Sequence, residues 1–257
     1  MSHRCSSSDS PNTGAWSTAG RCPAGRRKVG EPDAEEVLMV QGRGGRLLGG
    51  DRGVHWTRRP LDAIAVGAGA AVLLLGLVVV RDGSVSDAEE RLFRLVNDLP
   101  DAVYWILGPT QQLGALVAGP LVAVVALALR RFRLALSACL VTVAKLVLER
   151  LVKATVTRER PGTSLGPDIN VRGQVSLVGE SFVSGHAAMA TALAWIIAPY
   201  LPARWRLVPW VILSLVLVAR VYVGAHNPLD VVCGAGLGLV IAGSVNLLVK
   251  VPGPPVR

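Results

Sequence analysis

Residues 61–80 read LDAIAVGAGAAVLLLGLVVV, and Asp62 is the one charged side chain in that run. A helix needs about 20 predominantly apolar residues to cross the hydrocarbon core of a bilayer. The run has that length, so we interpret it as a membrane-spanning helix. It predicts that lipid, not water, surrounds much of this chain.

The composition of the whole chain agrees with that interpretation. The 257 residues are 51% hydrophobic and 18% charged, with a formal net charge of +9, whereas about 25% of the residues of an ordinary soluble domain are charged. These values exclude a secreted disulfide scaffold, a disordered acidic protein and most soluble nucleic-acid-binding proteins. In a membrane protein, Lys and Arg mark cytoplasmic flanks or a site for an anionic substrate, so we expect no nucleic-acid partner.

Six apolar runs predict an all-α fold, a polytopic membrane protein with six transmembrane helices. Their approximate bounds are Leu61–Val80, Val103–Leu129, Leu134–Val152, Phe182–Leu201, Leu207–Gly224 and Pro228–Val249. Residues 88–99, between the first two runs, are amphipathic and predict a helix that lies on the membrane surface. An even number of spans places both termini on one side, and the Arg residues there favour the cytoplasm by the positive-inside rule. We therefore expect a multi-pass protein of the cell (inner) membrane with cytoplasmic termini.

The chain divides into three predicted segments. Residues 1–59 are rich in Gly, Ser and basic residues and show no sustained period of 2 or 3.6, which predicts a disordered basic cytoplasmic tail. Residues 60–250 contain the six-helix transmembrane domain, and residues 251–257 are a short C-terminal tail. The spacing of the four cysteines fits neither a zinc site nor a disulfide framework; they are Cys5, Cys22, Cys139 and Cys233.

Polar side chains gather at the ends of the third to sixth predicted spans, on the side opposite to the termini. Ionisable groups at membrane depth cost several kcal/mol unless they are paired or functional, so their default interpretation is a functional site. The chain has four histidines, and two of them lie in this layer. The group comprises Lys153, Arg160, Ser184, Gly185, His186, Arg220, His226 and Asp230.

The cations in this group predict an anion-binding site. Lys153, Arg160 and Arg220 would repel one another unless an anion lies among them, and phosphate suits both the planar Arg fork and the Lys point charge. Ser184 and Gly185 stand at the predicted N-terminus of the fourth span, where free N–H groups and the helix dipole favour an anion. We therefore expect a phosphate group at this position.

The start of the sixth span places a carboxylate beside a histidine. Asn227 is a favourable N-cap residue and Pro228 a favourable first helical residue. Asp230 then falls in the first turn, within reach of His226 just outside the helix. This arrangement is preferred to one continuous helix through both residues, because Pro228 would interrupt it.

Three segments resemble the motifs of the type 2 phosphatidic acid phosphatase (PAP2) superfamily. Residues 153–161, KATVTRERP, are similar to its K-x6-RP motif, and Ser184-Gly185-His186 resembles its PSGH motif. The third segment, Arg220-x5-His226-x3-Asp230, is similar to its SR-x5-H-x3-D motif. The resemblance covers residues 61–249. Two positions depart from it, since Val183 and Ala219 stand where the family usually has Pro and Ser, and we expect altered local rigidity rather than lost activity.

The resemblance implies a six-helix bundle of the PAP2, or acid phosphatase–haloperoxidase, type and a metal-independent hydrolysis through a phosphohistidine. In that scheme His226 is the nucleophile, Asp230 orients its ring, and His186 protonates the leaving oxygen and then activates water. The remaining residues would bind the phosphate and stabilise the transition state: Lys153, Arg160, Ser184, Gly185 and Arg220. No cofactor is expected. A metal site made of His226, His186 and Asp230 is disfavoured, because three nearby cations would repel the ion.

Several functions fit this set of residues. The substrates that match a lipid phosphatase are a polyprenyl diphosphate, phosphatidate or phosphatidylglycerol phosphate, with the active site on the extracytoplasmic side. A lipid phosphotransferase of the same superfamily, and a non-catalytic lipid-phosphate transporter or binding protein, are the alternatives. We expect the lipid phosphate and membrane lipids as partners, and the sequence does not indicate an oligomeric state.

Other charged residues near these motifs have a structural interpretation. Lys145, Glu149 and Lys153 recur at a spacing of four on the third span, which predicts a ladder of helical ion pairs. Five charges in the connections are interpreted as solvated surface residues: Arg158, Glu159, Asp168, Arg172 and Glu180.

Overall fold

The computed structural model of the protein describes residues 51, 54–176 and 178–253. Within these residues the fold is mostly helical. The helices are α1 Pro60–Val79, α2 Asp87–Asn97, α3 Tyr104–Thr110, α4 Ala118–Ala128, α5 Phe132–Lys153, α6 Pro161–Ser164, α7 Gly185–Ile197, α8 Val208–Tyr222 and α9 Pro228–Val249. Two short strands flank them, β1 Trp56–Thr57 and β2 Val251–Pro252. Most of the predicted N-terminal tail and residues 254–257 lie outside the described residues.

Among the described residues, three helical segments are long and apolar enough to cross a membrane, namely Pro60–Val79, Ala203–Tyr222 and Pro228–Val249. The pair Asp101–Gly114 and Ala118–Ala128 makes a fourth if it is counted as one span. The other two predicted spans correspond to α5, which carries several charged residues, and to α7, which has 13 residues. Helical segments thus occupy all six predicted positions, and three or four of them meet the criterion for a span.

The second predicted span is bent. Its two halves meet at an angle of 73°, with Pro109 inside α3 and a short 3-10 turn at Gln111–Gly114 before the break. The break brings the backbone close to α7, because a Cβ added to Gly114 would lie 2.6 Å from the carbonyl oxygen of His186. The predicted second span, Val103–Leu129, therefore consists of two helical segments at an angle to each other.

Helix α9 lies at the centre of the bundle and packs closely against α1 and α7. A Cβ added to Gly236 would lie 3.0 Å from the carbonyl oxygen of Gly69 in α1, and one added to Gly238 would lie 2.5 Å from that of Ala188 in α7. Small residues allow helix backbones to approach in this way. The outer face of α1 is apolar and exposed, for example at Leu75 and Val78, as expected of a surface that faces lipid.

The two ends of α9 hold different polar groups. At its C-terminal end β2 pairs antiparallel with β1, with Trp56 opposite Pro252, and the buried Asp62 of α1 accepts a hydrogen bond from Asn246 at 3.0 Å. At its N-terminal end lie His226, Asp230 and the start of α7. The predicted functional residues therefore lie at one end of the bundle, and the paired strands lie at the other.

Candidate active site

His226 and Asp230 meet at the N-terminus of α9. Asn227 is the N-cap residue and Pro228 the first helical residue, which confirms the local prediction. Asp230 Oδ2 accepts a hydrogen bond from the Asn227 N–H at 2.9 Å and lies 3.8 Å from His226 Nδ1. Because Nδ1 faces the carboxylate, the second ring nitrogen, Nε2, is the one left for chemistry.

Ser181 completes the surroundings of this pair. Its hydroxyl group donates a hydrogen bond to Asp230 Oδ2 and lies 3.4 Å from His226 Nδ1. Ser181 is fully buried and stands three residues before the predicted Ser184. Sequence reasoning missed it, because a lone Ser in a polar connection carries no pattern.

Arg158 binds the other oxygen of Asp230. Its NH1 group donates to Asp230 Oδ1 at 2.6 Å, and its NH2 group donates to Glu89 Oε2 of α2 at 2.5 Å. The interpretation of Arg158 as a solvated surface residue is wrong, since it is 1% exposed. Burial lowers the pKa of Arg158, but the carboxylates of Asp230 and Glu89 outweigh this and leave it raised, so the charge is kept although the side chain is buried.

The N-terminus of α7 has the predicted geometry. Ser184 is its N-cap residue, and the Ser184 hydroxyl accepts a hydrogen bond from the Ala187 N–H at 3.4 Å. The Ser184 N–H donates to the Asp230 carbonyl oxygen at 2.9 Å, which joins α7 to the first turn of α9. Gly185 and His186 are the first two residues of α7, so their backbone N–H groups are free of intrahelical partners, as in an anion site.

Two arginines approach the same region with part of their guanidinium groups unused. Arg220 NH1 donates to Gln111 Oε1 at 2.5 Å, and Arg160 NH1 donates to the Ala225 carbonyl oxygen at 3.1 Å. Among the described residues, the buried Nε atoms of both arginines have no hydrogen-bond partner. Buried polar groups are rarely left unpaired, so these donors are suited to an anionic ligand. Gln111 was not predicted, because only the bend between α3 and α4 brings it here.

The ion pairs among Lys145, Glu149 and Lys153 on α5 also lie at the site. Glu149 lies 2.6 Å from Lys145 Nζ and 2.9 Å from Lys153 Nζ, which confirms the predicted ion pairs. A Cβ added to Gly185 would lie 2.5 Å from Glu149 Oε1, so the carboxylate rests against the glycine that opens α7. The ladder is therefore part of the predicted phosphate site rather than a separate structural feature.

The site is buried and rich in positive charge. His226 is 3% exposed and Asp230 is fully buried. Burial is the main reason that the pKa of His226 is lowered to about 4, although the nearby Asp230 carboxylate acts in the opposite direction. The imidazole of His226 is therefore neutral near pH 7, the state in which a histidine can act as a nucleophile.

A family model described as the PAP2 superfamily matches residues 132–252. This region of the chain belongs to the PAP2 superfamily. The matched PAP2 region begins at α5, ends at β2 and includes the three motifs and every residue of the predicted site. The resemblance seen in the sequence is thus confirmed at the level of the family.

Two solved structures of bacterial PAP2 proteins resemble this chain. The crystal structure of Aquifex aeolicus LpxE is 26% identical in sequence, with a TM-score of 0.56, and the match covers 64% of this chain and 99% of that one. A transmembrane PAP2-type phosphatidylglycerolphosphate phosphatase from Bacillus subtilis is 21% identical, with a TM-score of 0.57, and the match covers 70% and 94%. The second likeness concerns the fold alone. No curated protein matches the sequence.

Proposed function

We propose that the protein is a membrane lipid phosphatase that removes the terminal phosphate of a lipid phosphate or diphosphate through a phosphohistidine. The observation that carries this proposal is the buried pair of His226 and Asp230 beside two arginines whose Nε donors are unpaired. A neutral imidazole held by a carboxylate supplies a nucleophile, and unpaired buried donors supply a seat for the phosphate. The PAP2 membership of the chain agrees with both parts.

In the first step, His226 Nε2 attacks the phosphorus atom and the bond from phosphorus to the lipid oxygen breaks. His186 donates a proton to that oxygen, so a lipid alcohol or a lipid monophosphate leaves. In the second step, His186 takes a proton from water, and the resulting oxygen attacks phosphorus and breaks the bond to Nε2. Inorganic phosphate leaves, and both histidines return to their initial states.

The charge that develops on the phosphoryl oxygens is stabilised by groups already in place. Arg160, Arg220 and Lys153 supply positive charge, and the N–H groups at the start of α7 supply dipoles. Donors that are already oriented need no reorganisation when the reaction takes place, and removal of one typically costs about 100-fold to 1,000-fold in rate. A metal ion is not required for any of these steps.

We also propose a six-span topology with cytoplasmic termini and an extracytoplasmic site. The exposed Asp168 lies in the connection that carries Arg160, so Asp168→Cys, in a protein whose own cysteines are changed to Ser, reports the side of the site. Labelling from outside the cell by a membrane-impermeant thiol reagent is expected. Labelling that requires the reagent to enter the cytoplasm would contradict this topology.

The enzymatic proposal is tested by phosphate release from purified protein in the presence of EDTA. The substrates are a polyprenyl diphosphate, phosphatidate and phosphatidylglycerol phosphate, assayed side by side. The change His226→Ala is expected to lower turnover by at least about four orders of magnitude, as loss of a nucleophile does, whereas His55→Ala, on the far side of the bundle, is expected to leave it unchanged.

Each failure in this assay has a distinct meaning. Full turnover in His226→Ala contradicts the assignment of the nucleophile, and loss of turnover with EDTA contradicts the metal-independent mechanism. Binding without any phosphate release would favour a transporter or binding protein. Addition of a lipid alcohol that captures the phosphate would instead favour a phosphotransferase.

A further inference from the structure

Helix α2 contacts the proposed catalytic pair through one face. Glu89, Phe93 and Asn97 lie at a spacing of four along this face and are buried, with exposures of 6%, 0% and 1%. The opposite face is solvent- or lipid-accessible, with Leu95 71% exposed. The helix thus directs a buried carboxylate toward the site and exposes Leu95 on its other side.

Glu89 makes two contacts that no role in the proposed chemistry explains. Its Oε1 atom accepts a hydrogen bond from the Leu229 N–H at 2.9 Å, in the first turn of α9. Its Oε2 atom lies 2.5 Å from Arg158 NH2. One carboxylate therefore caps the helix whose first turn contains Asp230 and, at the same time, holds the arginine that binds Asp230.

Arg158 is the link between the two carboxylates. Its side chain is 0% exposed, as is that of Asp230, while that of Glu89 is 4% exposed. The Arg158 carbonyl oxygen also accepts a hydrogen bond from the Ser181 N–H at 2.7 Å, and Ser181 is the other side chain that holds Asp230. Arg158 and Ser181, whose side chains both hold the Asp230 carboxylate, are therefore also joined to each other by a backbone hydrogen bond.

This connection decides how freely Asp230 can rotate. With Oδ1 bound by Arg158, Oδ2 remains directed at Ser181, the Asn227 N–H and His226 Nδ1. Without Arg158, Oδ1 would be a buried acceptor lacking its partner, a costly state that favours reorientation of the group. Reorientation of Asp230 would release the ring of His226 from its productive tautomer and direction.

We propose that Arg158 is a positioning residue for the hydrolysis, and that Glu89 is the residue through which α2 holds Arg158 in place. The inference rests on the proposed function, because it assigns a role in that same reaction. Arg158 does not contact the phosphate in this scheme. It acts through Asp230, and Glu89 acts through Arg158.

The test compares kcat and KM for Arg158→Gln, Arg158→Lys and Glu89→Gln with those of the unchanged protein, on the substrate with the highest turnover. A positioning role predicts that Arg158→Gln lowers kcat by about 100-fold while KM changes by less than about threefold, since the phosphate donors remain. Arg158→Lys is expected to recover part of that loss, because an ammonium group can pair with one carboxylate. Glu89→Gln is expected to lower kcat by about tenfold.

A matched control comes from the same helix. Arg94 and Glu90 form an ion pair at 2.8 Å, with side chains 39% and 37% exposed, so Arg94→Gln and Glu90→Gln alter an ion pair on α2 that does not reach the site. Both are expected to keep kcat within about twofold, as exposed pairs contribute little. Because removal of a buried partner also threatens the fold, orthovanadate binding and thermal unfolding of each variant are measured as well.

The outcomes separate the inference from the proposed function. Retained orthovanadate binding with a loss confined to kcat supports the positioning role. A kcat of Arg158→Gln within about threefold of the unchanged protein overturns it, and so does a loss of kcat that is matched by loss of orthovanadate binding and of the folded state. If the unchanged protein releases no phosphate, the proposed function is wrong, and there is then no reaction in which Arg158 could have a positioning role. This outcome is distinguishable from the previous one, in which the unchanged protein is active and Arg158→Gln keeps its kcat.

Discussion

Two buried aspartates lie at opposite ends of the bundle and begin from the same local sequence. Pro60-Leu61-Asp62 opens α1 and Pro228-Leu229-Asp230 opens α9, and both carboxylates are fully buried. Pro suits the first helical position and an acidic residue suits the first turn. The identical tripeptides therefore explain why each helix starts where it does, but not why the two carboxylates differ in their chemistry.

The difference lies in the groups that each carboxylate contacts. Asp62 accepts hydrogen bonds from Arg59, from Trp195 Nε1 at 2.7 Å and from Asn246 Nδ2 at 3.0 Å. None of these donors exchanges a proton near neutral pH, so Asp62 ties α1, α7 and α9 together. Asp230 instead faces His226, a group that can attack phosphorus. A buried carboxylate is thus structural or catalytic according to whether a reactive partner faces it.

The largest expected effect that follows from this comparison is that of Asp230→Asn. The change keeps the size of the side chain but removes the acceptor that fixes the tautomer of His226, and such a change lowers kcat by about four orders of magnitude where it has been made in a triad. The measurement is kcat for lipid phosphate hydrolysis. A loss of less than about tenfold would show that Asp230 is no more than a helix cap, like Asp62.

The pH dependence of kcat/KM tests the partner of Asp230. Burial lowers the pKa of His226 to about 4, and the neutral form, present above that pKa, is the nucleophile. Protonation of His226 is therefore expected to leave kcat/KM unchanged down to about pH 5. Below about pH 4 it is expected to lower kcat/KM about tenfold per pH unit.

Two substrates whose phosphate groups differ in pKa separate the ionisation of the substrate from that of the enzyme. A fall in kcat/KM that is caused by protonation of His226 occurs at the same pH with both substrates. A fall in kcat/KM as the pH drops below about 6.5, the ordinary range for histidine, in a limb that does not depend on the substrate, would mean that the His226 imidazole is not buried as described.

Glu149 is a third carboxylate. Its ion pairs are structural, like those of Asp62, but one of its partners belongs to the proposed phosphate site. It pairs with Lys145 and Lys153 and rests against Gly185, so it competes with a phosphate for Lys153. Glu149→Gln is expected to strengthen inhibition by inorganic phosphate by about tenfold, or about 1.4 kcal/mol. Glu180→Gln, at an exposed position of the loop before α7, is the control, and weaker inhibition in Glu149→Gln would contradict the competition.

The smallest expected effect on activity is that of Asp62→Asn, the counterpart of the change at Asp230. Turnover is expected to stay within about threefold, whereas the free energy of unfolding falls by about 1–3 kcal/mol, because the buried carboxylate that pairs with the partly exposed Arg59 loses its charge. Thermal unfolding in detergent and phosphate release are measured on the same preparation. Loss of turnover in a protein that remains folded would remove the distinction between the two aspartates.

Local features of the fold were predictable because they depend on neighbouring residues. The predicted sixth span, Pro228–Val249, coincides with α9, and the first differs from α1 by one residue at each end. The N-cap Asn227 and the position of Ser184 at the start of a helix were also predicted correctly. The bend between α3 and α4 was not, because hydropathy reports where a chain is apolar and not the direction in which it turns.

The sequence by itself determined which residues are available for chemistry: two histidines, three cations and one aspartate, each at the end of an apolar run. Tertiary structure alone decided that Glu89, Arg158 and Gln111 belong with them, and that Asp62 does not. These residues are joined across 69 and 72 positions, from Glu89 to Arg158 and from Arg158 to Asp230, and across 109 from Gln111 to Arg220. Contacts over such separations arise from the packing of helices, and local sequence carries no signal for them.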